Sequence, residues 1–271
     1  MGTLYFVATP IGNLKDITIR ALDVLKDVDI IACEDTRNSL KLLNHYQISK
    51  KLIAYHKFNE KSSADGIIAL AKQNKNIAVI SDAGMPVISD PGQILIDKLI
   101  ENNIEYTVIP GASASLSALL LSGMDSSSFT FVGFLQEQNK QRKMQIEKYK
   151  QYETTLIFYV SPYNVKKDIE FLYQNLGERK ACLVNEITKI HEKVIHFTLG
   201  EFEDIEPKGE YVLIVEGNKN KETEKVENSI EDELLQYINQ GLSKNEAIKT
   251  VAKNRKLAKN EVYQIALTLN I

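Results

Sequence analysis

An α/β protein, with two α/β domains in succession and a small helical module after them, is what the sequence predicts, and three observations carry it. From Leu4 to Ile109, short β-branched or apolar runs alternate with segments of helical length, the rhythm of βαβ units and a mostly parallel sheet. A second series of apolar runs starts at Phe129 and is denser in strands. Between Gly217 and Ile230 the chain loses its apolar residues except Val226, as a linker does, and beyond it apolar residues recur at helical spacing. The expected divisions are residues 1–115 and 116–217 for the two α/β domains, 218–230 for the linker and 231–271 for the helical module.

In chain order, the first five strands are expected at Leu4–Ala8, Asp29–Cys33, Leu52–Tyr55, Ile77–Ser81 and Tyr106–Ile109. Ile17, Ala21, Val24 and Val28 fall on one helical face behind Asp16 as N-cap, and Leu95 with Leu99 follow Pro91 in a first turn. The second series predicts strands at Phe129–Phe134, Thr154–Val160, Lys180–Ile187, Val194–Phe202 and Glu210–Val215, the last three near enough for antiparallel pairing. In the tail, Leu234, Leu235 and Ile238, then Ala247, Ile248 and Val251, then Val262, Ile265, Ala266 and Leu269 mark helical stripes.

Composition narrows the function. With 44% hydrophobic residues and a formal net charge of −3, the chain has enough apolar mass for real cores and no overall basic surface with which to coat nucleic acid. Cys33 and Cys182 stand far apart with no C-x-x-C, which supports neither a disulfide framework nor a zinc site, and a reducing cytoplasm is the expected location. His191 and His196 are five apart, off a common helical face, so no metal is expected. The segment MGTLYFVATP has no basic stretch ahead of its short apolar run, Phe6 stands where a myristoylation signal needs Ser or Thr, and no run reaches membrane-spanning length.

The segments following the first five strands are TPIGN, EDTR, HKFNE, SDAG and PGASAS. All are polar, small or Gly/Pro-bearing, and all lie at strand carboxyl ends, where open α/β sheets bind ligands. SDAGMPVISDPG, Ser81 to Gly92, fits neither a dinucleotide fingerprint nor a phosphate loop. Its Gly and Pro residues let backbone approach a ligand, and its two aspartates suit a cationic centre. Asp82 is read as facing that ligand, and Asp90 as a cap on the helix after Pro91. Glu34, Asp35 and Arg37 have two readings, a helix cap with a local ion pair or a share in the rim.

In order, VATPIGNLKDIT, ACEDTR, SDAGMPVISDPG, IPGASASLSAL, FVGFL and NEITKIHE resemble the tetrapyrrole-methylase superfamily, from Thr3 to about Gly217. The closest likeness is to the branch that methylates the 2′-oxygen of a cytidine ribose in the 16S ribosomal RNA of the small subunit. The resemblance implies two α/β domains with S-adenosylmethionine in the cleft between them, a homodimer and no metal. By position it implies Pro10, Asp82, Ala83, Gly84, Met85, Ile88, Ser113 and Ala114 as cofactor neighbours, with Tyr159 and Val160 from the second domain. A ribose hydroxyl is a weak nucleophile, and Glu34, Asp35, His56, Glu60 and Lys189 are the candidates to orient it or take its proton. Phe58, Gln136, Val160, Asn164 and Asn185 depart from the residues usual in this branch, with arginine lost at the last two. The rival readings are a methyltransferase of the same fold acting on a tetrapyrrole precursor or a protein, and a non-catalytic RNA-binding relative.

The tail adds charge. From Gly241 onward Lys244, Lys249, Lys253, Arg255, Lys256 and Lys259 oppose only Glu246 and Glu261. Lys249, Lys253 and Lys256 fall on one helical face, and together with Arg37 they are the expected RNA contacts.

Overall fold

The computed structural model describes residues 1–57, 59–203, 205, 208–219, 229–255 and 257–269. Two compact units divide the chain, Met1–Asn218 and Lys219–Ile271. The larger unit holds two five-stranded sheets with helices, an α/β architecture.

The first sheet is entirely parallel: β1 (Leu4–Val7), β2 (Ile30–Cys33), β3 (Lys51–Ala54), β4 (Ile77–Ile80) and β5 (Tyr106–Ile109), in the order β3-β2-β4-β1-β5. Its near-continuous apolar runs are those of strands buried on both faces. Helices α1 (Ile19–Asp27) and α2 (Thr36–His45) cover one face, where Leu25 and Leu43 meet Val7, Ile31 and Ile80. Helices α3 (Glu60–Lys72) and α4 (Gln93–Glu101) cover the other, where Ile67, Leu95 and Leu99 meet Leu4, Phe6 and Val79. From β1 the chain crosses to β2 on one side, and from β4 it crosses to β5 on the other, so the order reverses between β1 and β4. That reversal opens a crevice at their carboxyl ends.

Helix α5 (Ala114–Ser122) leaves β5 but packs on the second sheet: Ala118 and Leu119 are buried against Ile157, Cys182, Val184, Val212 and Ile214. That sheet comprises β6 (Phe129–Phe134), β7 (Thr155–Val160), β8 (Lys180–Asn185), β9 (Lys193–Thr198) and β10 (Tyr211–Val215), ordered β6-β7-β10-β8-β9. Strands β6 and β7 are parallel, and every other pairing is antiparallel. Helices α6 (Asn139–Tyr149) and α7 (Val165–Leu176) close its far face with Ile146, Ile169 and Leu172. The ion pair of Arg142 on α6 with Asp168 on α7 is buried among them, the guanidinium lying 4.2 Å over the Phe171 ring.

Two local expectations are corrected. Thr18, whose hydroxyl accepts from the Ala21 amide at 3.1 Å, caps α1; Asp16 lies in a preceding 3₁₀ turn, Leu14–Asp16, because the chain needs that turn before it can start the helix. Asp90 does not cap α4, whose N-cap is Gly92 with no side-chain bond.

The smaller unit is three helices, α8 (Ile230–Asn239), α9 (Lys244–Arg255) and α10 (Lys259–Thr268), around Leu234, Ile248, Val251 and Val262. Ser229 and Asp232 form a reciprocal capping box that fixes the start of α8. Most of the expected linker, residues 220–228, lies outside the described residues.

Candidate functional site

The crevice at β1 and β4 opens into a cavity of about 470 Å³, within the range of small-molecule sites. One wall comes from the first sheet: Ile11 after β1, Asp82 to Met85 and Ile88 to Asp90 after β4, and Ser113 and Ala114 at the start of α5. The opposite wall comes from the second: Phe134 at the end of β6, Tyr159 to Pro162 at and beyond the end of β7, Ile187 after β8, and Glu210 to Val212 at the start of β10.

The β4 loop is pinned to its neighbours. Thr9 and Gly84 exchange backbone hydrogen bonds of 2.9 and 3.1 Å, which ties it to the β1 loop. Asp82 Oδ1 accepts from the Asp35 amide at 3.3 Å and its Oδ2 from Asn38 Nδ2 at 3.0 Å, which ties it to the β2 loop. Further on, Val87 and Ser89 adopt φ of 74° and 68°, left-handed backbone that costs a β-branched residue most, and Gly92 sits at φ 151° with its N–H donated to Glu60 Oε1 at 2.8 Å. A second strained turn, with Glu186 at φ 53° and Thr188 at 65°, faces the β1 loop: the Thr188 hydroxyl donates to Asp16, and a Cβ on Gly12 would lie 2.7 Å from Lys189 Cγ. Strain of this kind persists where packing over-determines it, and here both strained loops border the cavity.

Of the residues expected to hold a cofactor, Asp82, Ala83, Gly84, Met85, Ile88, Ser113, Ala114, Tyr159 and Val160 lie in the wall. Pro10 is buried beside it, and its neighbour Ile11 takes the wall position. The five proton-handling candidates are more dispersed, and none of them lines the cavity. Asp35 caps α2 through the Arg37 amide at 2.8 Å and pairs with the Arg37 guanidinium at 2.8 Å, which holds its carboxyl down at about 2. The same pair occupies Arg37, whose side chain is otherwise exposed. Glu60 accepts from Tyr55 as well as from Gly92, a tie between α3 and the β4 loop. Lys189 bridges Glu186 and Glu210, each at 2.9 Å, so it reaches the cavity through Glu210. Glu34 is half-buried behind the wall, and its carboxyl is raised by burial and then by the negative Asp82, against a lowering pull from His56. Phe58 and Lys256 lie outside the described residues, while Lys249 and Lys253 stand exposed on α9.

The wall also contains Asp90, read from the sequence as a helix cap, and residues the sequence reading passed over. At Asp90, burial first and then the charges of Glu34 and Asp82 push the carboxyl up to about 6, against a lowering pull from the Ser81 hydroxyl. Ser161, Pro162 and Ile187 extend motifs that were legible. Glu210 and Tyr211 carried no signal, because they stand at a strand's amino end, and antiparallel pairing with β7 and β8 brings that end to the same rim. No group of three or more His, Cys, Asp or Glu among the described residues is arranged to hold a metal.

A family model described as "Tetrapyrrole (Corrin/Porphyrin) Methylases" matches residues 3–203. The chain belongs to the tetrapyrrole methylase family. S-adenosylmethionine is the methyl donor of this family of methyltransferases. Among its members, the chain is 44% identical to a protein of Halalkalibacterium halodurans named ribosomal RNA small subunit methyltransferase I, over 97% of this chain and 94% of the relative. It is 40% identical to the Bacillus subtilis protein of the same name, over 97% and 93%. Solved structures share the fold at low identity: diphthine synthase with a TM-score of 0.67 at 13% identity, covering 80% of this chain and 90% of that one, and uroporphyrin-III-C-methyltransferase of Thermus thermophilus with 0.56 at 18%, covering 80% and 94%.

The cavity suits this methyl donor. It offers a carboxylate to a cation at Asp82, apolar surface at Ile11, Met85, Ile88 and Phe134, and a close backbone approach at Gly84, whose φ of 79° disfavours any side chain and where a Cβ would come within 3.1 Å of Ile11.

Proposed function

We propose that the chain transfers a methyl group from S-adenosylmethionine to the 2′-oxygen of a cytidine ribose in 16S ribosomal RNA of the small subunit, working as a cytoplasmic homodimer. The observation that carries this reading is the reach of the likeness to the ribosomal RNA small subunit methyltransferases I: it covers 97% of the chain and so extends past residue 203, where the family match stops, into the helical unit. That unit exposes Lys249 and Lys253 on α9, and a basic face suits a phosphate backbone.

In this reading Ile11, Met85, Ile88, Ser113 and Ala114 pack the cofactor, Asp82 faces its positive centre, and Tyr159 and Val160 close over it from the other side. When bound, S-adenosylmethionine supplies an electrophilic methyl group on a sulfonium. Much of the catalysis is then positioning, which the two pinned loops provide. The dimer is supported by apolar surface on an edge: β5 ends the first sheet with Tyr106 and Val108 exposed, and α5 presents Leu116 and Leu120, the latter 80% exposed.

Labelled S-adenosylmethionine incubated with small ribosomal subunits, with naked 16S RNA and with tetrapyrrole precursors tests the substrate. Label in ribose of the subunit RNA is expected, and label in a tetrapyrrole alone would overturn the reading. Asp82→Ala should raise the calorimetric Kd for the cofactor about tenfold, since it removes a charge and two loop hydrogen bonds worth about 1 kcal/mol each; an unchanged Kd would remove Asp82 from the site.

A further inference from the structure

We propose that Asp90 takes the proton from the acceptor hydroxyl, with Glu34, half-buried behind the same wall, as a positioning residue. This rests on the reading that the acceptor is a ribose hydroxyl. Asp90 is in the cavity wall, half-buried, on a turn bracketed by Ser89 in left-handed backbone and by Gly92. The other ionisable groups of the wall are otherwise engaged. Both Asp82 oxygens accept from the β2 loop. Glu210 is largely exposed and pairs with Lys189. Burial raises the Tyr159 phenol above its usual range.

A base works best with a pKa near the working pH, and that of Asp90 is raised to about 6. The groups whose charge or hydrogen bonding acts on it are Glu34 after β2, Asp82 on its own loop and the Ser81 hydroxyl, and its own charge acts on Tyr159 of β7; His56 acts on Glu34. The step balances. The hydroxyl O–H bond breaks and its proton passes to an Asp90 carboxylate oxygen, while the ribose oxygen gains the methyl group and the electron pair of the broken C–S bond stays on the donor's sulfur. Carboxylate is the active form, so the rate falls as pH drops through the Asp90 midpoint.

The test pairs a ligand-free readout with a rate. Carboxyl-carbon NMR of the protein alone should show one aspartate titrating near 6, absent in Asp90→Asn and moved to lower pH in Glu34→Gln, where a negative neighbour is lost. Single-turnover methylation of small subunits should fall about 10²–10³-fold in Asp90→Asn with the calorimetric cofactor Kd changed less than about twofold. In Glu34→Gln the acid limb of the rate should move with the NMR midpoint. An Asp90→Asn rate within about threefold of the parent, with the same limb, overturns the proposal. If Asp90→Asn does not fold, a limb that stays put in Glu34→Gln while the NMR midpoint moves overturns it equally. A parent protein that methylates no small subunit overturns the substrate reading as well.

Discussion

Replacing Gly92 by alanine tests whether the strained β4 loop shapes the cavity. Gly92 lies at φ 151°, outside the range of an L side chain, and an added Cβ would sit 2.5 Å from Val87 Cγ2, with Val87 Cβ and Cγ1 at 3.3 and 3.4 Å. Val87 has little room to give, since it is itself at φ 74° and packed against the α3–α4 core. The backbone term is about 1–2 kcal/mol and the overpacking term about 1–3 kcal/mol, so Gly92→Ala should destabilise by about 2–5 kcal/mol. For a unit of this size that lowers Tm by about 4–20 °C. Relief comes by moving the loop, and Asp82 to Asp90 move with it, so the cofactor Kd should rise about tenfold or more. Gly66→Ala is the control: Gly66 is inside α3, exposed, with nothing within 4 Å of its added Cβ, and alanine there should stabilise by about 0.5–1 kcal/mol. Thermal melts and calorimetry on the two variants give opposite signs if the reasoning holds. A Gly92→Ala protein with parental Tm and Kd would refute it.

Two further outcomes follow from other parts of the molecule. Arg142→Ala should cost about 3–5 kcal/mol in denaturant unfolding, because it strands the Asp168 carboxylate among buried residues and removes the contact over Phe171. Deleting residues 229–271 should spare cofactor binding, lower methylation of small subunits and flatten the salt dependence of RNA affinity; a truncated protein with full rate and an unchanged salt slope would reassign the helical unit.

The local code was enough for much of the architecture. Runs such as Ile77–Ile80 are apolar on both faces because the sheet is covered on both, and the alternation with helical segments follows from the parallel crossovers that need them. The small and polar stretches after β1, β4 and β5 were readable as a rim for the same reason: chain direction alone puts every carboxyl end of a parallel sheet on one side. What local pattern does not encode is which atom of such a loop faces inward. Asp82 and Asp90 look alike in SDAGMPVISDPG, yet one is tied to the β2 loop and the other is half-buried behind Ser81, a difference made by strand order and by Glu34, which lies 56 residues upstream of Asp90. Asp35 takes the helix cap and local ion pair with Arg37, one of its two sequence readings, because Arg37 is only two residues on; Glu60, read as chemistry, acts in the fold as a loop tie, because its partner Gly92 is 32 residues away and comes within reach only in the folded chain. Helix α5 follows a strand of the first sheet and packs on the second, and Glu210 and Tyr211 reach the cavity from a strand's amino end; both depend on pairing between distant segments, which only the tertiary structure decides.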